Sequence, residues 1–118
     1  MARLKVLDTN AMIAVSQGKL AVEPADVRVV ISVITRIELL AWPELSEAAR
    51  KDVLRMVNAV ETAQITPAIE KRVVELRTAR TLKLPDAIVA GTALVLQAPL
   101  VSNDKLFGRV TGLVVEEF

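Results

Sequence analysis

Val27-Arg28-Val29-Val30-Ile31-Ser32-Val33 is β-branched and apolar on both faces, the pattern of a strand packed from above and below. Around it, strand and helix signals alternate. Leu4–Leu7 reads as a short strand with Leu4 and Val6 on one face and Leu7 on the other. The polar run Asp8-Thr9-Asn10 then caps a helix from Ala11 to about Ser16, and Gly18 and Pro24 punctuate a loop over 17–26. Beyond the Val27–Val33 strand, a helix over 34–41 is ended by Trp42-Pro43. Ser46 caps a further helix in which Val53, Met56, Val57 and Val60 recur at helical spacing. A brief strand is expected at Gln64–Ile65, and Thr66-Pro67 opens a helix to about Arg80. Ala87 to Gln97 is a helix apolar on nearly all sides, followed by a strand at Pro99–Val101. A last helical turn, Lys105–Arg109, precedes an edge strand at Leu113–Val115. The order predicts a three-layer α/β domain over 1–118, with a mainly parallel sheet of four to five strands and helices on both faces.

Composition narrows the chemistry. Of 118 residues 53% are hydrophobic and 3% aromatic, so the core is aliphatic. A mean hydropathy of +0.43 is high for a chain this short and points to a subunit or partner interface. The longest uncharged stretch, 87–103, is broken by Gly91, Gln97 and Pro99 and is too short to span a membrane. Asp8 interrupts any leader-like apolar region, so a cytoplasmic location is expected. There is no Cys, no His and no Tyr. That excludes disulfides, thiolate or imidazole zinc sites, and every Ser–His or Cys–His nucleophile pair. Catalysis would have to come from carboxylates, Lys or Arg, hydroxyls, or a hard cation such as Mg²⁺ or Mn²⁺. The net charge of +1 singles out no partner.

Most of the 14 acids sit in polar surroundings. Four do not. Asp8 follows the first strand, Asp104 follows the strand at 99–101, Glu38 lies about a turn after Val27–Val33, and Asp86 opens the apolar helix. In a parallel sheet the strand ends and the following helix starts share one edge, where ligands bind. Each acid alone has an ordinary use. Asp8 and Asp104 can be helix caps, and Asp86 can complement a helix dipole. Glu38, among Ile37, Leu39 and Leu40, needs a partner, a proton or a metal if it is buried. Two carboxylates ~4 Å apart repel by ~4 kcal/mol at an effective dielectric of about 20. A shared dication would remove that repulsion and activate water for phosphodiester hydrolysis.

Val6-Leu7-Asp8-Thr9-Asn10, Ile34-Thr35-Arg36-Ile37-Glu38-Leu39-Leu40, Lys83-Leu84-Pro85-Asp86-Ala87-Ile88-Val89-Ala90 and Leu100-Val101-Ser102-Asn103-Asp104 together resemble the PIN-domain pattern in order and spacing. The likeness is to VapC-type toxins of toxin–antitoxin pairs, and extends to Val110-Thr111-Gly112-Leu113. The resemblance implies a PIN-like three-layer sandwich with an acidic pocket in which Asp8, Glu38, Asp86 and Asp104 are the catalytic, metal-binding acids. Ser102 would support the pocket beside Thr9 and Asn10. The resemblance also implies Mg²⁺ or Mn²⁺, RNA cleavage by an activated water, a homodimer and a cognate antitoxin. RNA contact would fall to Arg36, Lys83, Lys105 and Arg109, with Arg80 also near the pocket mouth. Two positions depart from the pattern. Ala41-Trp42-Pro43 stands where relatives carry a glycine, and Leu106 where many carry a further acid. Leu106 leaves Asp104 the sole acid of its segment. The competing assignments are a non-catalytic interaction module of the same fold and a phosphoacceptor receiver domain. The receiver would want paired acids after the first strand, where this chain has one.

Overall fold

The computed structural model describes residues 3–118. Five parallel strands form one sheet in the order β3-β2-β1-β4-β5. They are β1 (Arg3–Leu7), β2 (Val27–Ser32), β3 (Glu61–Ala63), β4 (Leu100–Val101) and β5 (Val115–Glu116). The helices are α1 (Thr9–Ser16), α2 (Val33–Leu40), α3 (Glu47–Asn58), α4 (Pro67–Thr78) and α5 (Leu84–Leu96), with a 3-10 turn at Lys105–Arg109.

Alternation along the strands separates two cores. Val6, Val30 and Leu100 face one side and pack with Ile69 and Val73 of α4 and with Ala87–Ala90 and Ala93 of α5. Leu7, Ile31 and Val101 face the other side and pack with Ala11 and Met12 of α1, Leu39 of α2, and Val53 and Val57 of α3. The three-layer expectation holds, and α5 is buried continuously from Ala87 to Ala93. Its approach to α4 is close: a Cβ on Gly91 would stand 3.1 Å from Val73 Cγ2.

Several boundaries differ from the sequence expectation. The third strand is Glu61–Ala63 rather than Gln64–Ile65, set by its pairing with Val30–Ser32. Val33 opens α2 instead of closing β2, because the Ser32 hydroxyl accepts from Ile34 N at 3.2 Å and caps the helix there. The fifth strand is Val115–Glu116, where Leu100 N and Ser102 N reach the carbonyls of Val114 and Glu116. The fold-setting feature is the order itself. The chain runs outward from β1 to β2 and β3, then returns to lay β4 and β5 on the opposite side of β1. That reversal makes a topological switch point between β1 and β4, the place where open parallel sheets bind ligands beyond their carboxyl ends.

Candidate active site at the switch point

Asp8 and Asp104 stand at this edge. Asp8 remains zipped to β4 by its backbone N–H, 3.3 Å from Val101 O, while its side chain caps α1. Ala11 N donates to Oδ1 at 2.8 Å, and the Ser102 hydroxyl donates to Oδ2 in a short hydrogen bond. Ser102 Oγ in turn accepts from Asp104 N at 3.0 Å. One fully buried hydroxyl therefore ties the acid after β1 to the acid after β4. Asp104 Oδ1 accepts from Leu106 N at 2.9 Å and caps the 3-10 turn. Both acids are thus helix caps as well as members of the edge, and each keeps lone pairs for a ligand.

Glu38 comes in from α2. Thr9 Oγ1, next to Asp8, donates to Glu38 Oε1 at 2.7 Å, and Oε2 has no hydrogen bond among the described residues. Local sequence placed this carboxylate among apolar neighbours. In the structure Glu38 and Ile37 are exposed, and Leu39 is the residue of that turn that points into the core. Glu38 therefore needs no buried counterion. Asp86 lies in the first turn of α5, half-buried, with no hydrogen bond to its carboxylate among the described residues.

The charges of these groups bear on one another. Burial, with Asp8 only 6% exposed, pushes its carboxyl above the ordinary range. The Ser102 and Ala11 hydrogen bonds oppose that shift, and the charges of Asp104 and Glu38 add to it. Asp86 is also pushed up, first by burial and then by Asp104, Glu38 and Asp8, with Lys83 as the opposing cation. Four carboxylates from four separate segments thus share a field that one lysine does not neutralise. The donor set fits a hard dication: oxygen only, with free lone pairs on each acid. Among the described residues, no three acids are drawn together tightly enough to form a ready-made ion cage. An ion would have to pull the side chains inward.

The PIN domain family model matches residues 5–113. The chain belongs to the PIN-domain family. Its fold is similar to a chain of a toxin–antitoxin complex from Klebsiella pneumoniae, with TM-score 0.76 and 26% identity, covering 97% of this chain and 99% of that one. DNA-bound VapBC from Salmonella typhimurium matches at TM-score 0.75 and 25% identity, over 99% of this chain and 98% of that one. VapBC-1 from nontypeable Haemophilus influenzae gives TM-score 0.77 at 22% identity, over 97% of both chains. No curated protein matches the sequence.

Other residues of the PIN domain fall into place around the acids. Asn10 is exposed in the first turn of α1, and Lys105 is exposed in the 3-10 turn. Arg36 turns away toward α3, donating to Asn58 Oδ1 at 2.8 Å and Val57 O at 3.3 Å. Asn103 stands inside the Leu100–Asp104 motif, which by itself assigns it no role. Its amide donates to Phe118 O and accepts from Phe118 N, both at 2.7 Å, and so braces the segment between Ser102 and Asp104. Thr35, a turn before Glu38, was also unmarked. Its hydroxyl is buried with no partner among the described residues. Thr35→Val is expected to raise stability by about 1 kcal/mol, seen as a melting temperature several degrees higher. A lower melting temperature would show that the hydroxyl is satisfied in solution.

Proposed function

We propose that this PIN domain is a metal-dependent endoribonuclease of the VapC toxin type, held inactive by a cognate antitoxin. The observation that supports this reading is that Ser102 ties Asp8 to the Asp104 backbone at the switch point, Thr9 beside Asp8 holds Glu38, and Asp86 feels the charges of all three. The similarity to chains from toxin–antitoxin complexes supports the partner, and a chain without His or Cys is suited to carboxylate–metal chemistry as its route to hydrolysis.

Asp8, Glu38, Asp86 and Asp104 would hold Mg²⁺ or Mn²⁺. Such an ion supplies positive charge for the phosphate oxygens and lowers the pKa of a bound water. The chain's own residues do the positioning. Ser102 and the Ala11 N–H fix the Asp8 carboxylate, Thr9 orients Glu38, and Asn103 and Leu106 N hold the Asp104 segment. The Asp86 carboxylate, without a hydrogen bond among the described residues, can accept from an attacking water. Exposed Ile37, Leu54, Leu84 and Leu106 give apolar surface for the antitoxin and for a second copy of the chain.

The purified chain is expected to cut RNA in Mn²⁺ or Mg²⁺ and to lose that activity in excess EDTA. Equal cleavage in EDTA would refute the metal-dependent mechanism. One observation favours a second function, a non-catalytic module that only pairs with a partner: no three acids among the described residues form a ready-made cage. Under that function neither metal binding nor cleavage would be found.

A further inference from the structure

We propose that a cleft beside the acids, between the end of α4 and the 3-10 turn, is a phosphate subsite that takes an RNA backbone phosphate next to the scissile one. The inference rests on the ribonuclease function proposed above. A cavity of about 510 Å³ is lined by Arg77, Arg80, Lys83, Leu106 and Arg109, and no acid lines it. Lys83 lies one turn before Asp86, and Arg109 lies in the turn that Asp104 caps, so the basic cleft adjoins the acidic site through two of its members.

Four arginines elsewhere are ion-paired, while Arg36 and Arg50 are held by carbonyl and amide oxygens. Arg3 pairs with Asp26, Arg28 with Glu61, Arg55 with Asp52 and Arg72 with Glu75. In the cleft, Arg80, Lys83 and Arg109 have no ion pair among the described residues, and Arg77 donates only to Leu82 O at 2.9 Å. Four cations around one cavity without a counterion repel one another, and an anion relieves that repulsion. Arg80 lies just past the end of α4. It occupies the left-handed position after α4 with φ +54°, where glycine would sit without strain.

The two halves of the edge suit a polyanion of evenly spaced charges. One phosphate meets the acids with their metal, and its neighbour meets the arginines. Guanidinium groups bind phosphate through paired N–H donors, a geometry that Lys alone does not offer. A protein carboxylate carries the same single charge as a backbone phosphodiester but without its regular spacing along a strand, so RNA is the occupant the cleft fits.

The test is binding of a labelled ten-nucleotide single-stranded RNA over a salt series, with Asp86→Asn as the uncleaving background. Adding Arg80→Gly or Arg109→Gln is expected to weaken binding about three- to tenfold and to flatten the log–log salt slope by roughly 0.7 each. Lys19→Gln, at the far end of α1, is expected to change neither. Arg80→Gly should melt no lower than its background, which separates lost contact from lost fold. Unchanged affinity and slope in both cleft variants would overturn the subsite. So would variants that lose affinity for a polyglutamate peptide but keep it for RNA, or a background protein that binds no RNA. Metal-dependent cleavage by the wild type alongside unaltered cleft variants would sink the subsite alone. No cleavage by the wild type in Mn²⁺ or Mg²⁺ would sink the ribonuclease function itself.

Discussion

Asp8→Asn is expected to lower RNA cleavage at least ~10²–10³-fold with no loss of stability. The substitution removes the charge that an ion would need and keeps the shape. The Asn carbonyl can still accept from Ala11 N and the Ser102 hydroxyl can accept from the amide; its own proton loses the carboxylate acceptor, a cost that removal of a buried charge offsets. It also removes a carboxyl pushed up by burial, which relieves the native state. Asp8→Ala separates the two duties. It should be equally inactive and also less stable by about 1–3 kcal/mol, because the α1 cap is lost and the Ser102 hydroxyl is left buried without its acceptor. Gel assay of RNA cleavage and thermal melting check both. An Asp8→Asn protein that cuts at the wild-type rate would remove Asp8 from the mechanism.

Asp86→Asn is expected to produce a comparable loss of cleavage together with a gain in stability. The gain has a pH signature. Burial and then the charges of Asp104, Glu38 and Asp8 raise the folded-state pKa of Asp86 above its unfolded value. Between those two values the folded chain binds more protons than the unfolded chain, so stability falls as pH rises through that window. Below the ordinary Asp value the penalty is absent, and above the folded value it is complete. Asp86→Asn should therefore match the wild type in acid and exceed it near neutrality. Asp8 shifts in the same direction, so part of the decline should persist in the variant. Denaturant melts across pH 3–7 read this directly. Parallel wild-type and Asp86→Asn curves would show that Asp86 does not feel its neighbours in solution.

Much of the fold was legible because two-sided burial leaves a mark. β1 and β2 put aliphatic side chains into both cores, and their sequences are aliphatic at successive positions. β3 was misplaced for the converse reason. It is an edge strand of Glu61-Thr62-Ala63, held by its register with β2, while the neighbouring Ile65 has the stronger intrinsic preference and lies exposed outside the strand. Asp8 and Asp104 could be found because strand ends are visible in sequence. The exposure of Glu38 could not, since which side of α2 is covered depends on how α1 and α3 pack against it. Arg36 is similar: its position two residues before Glu38 says nothing of the α3 carbonyl that claims its guanidinium.

Titration of Mn²⁺ into the metal-free chain, followed by calorimetry in the wild type and in Asp8→Asn, addresses the shared pocket most directly. Binding in the millimolar range or tighter, abolished by that one substitution, is the predicted outcome. A wild-type chain that takes up no Mn²⁺, or one that binds it equally well without the Asp8 charge, would contradict it.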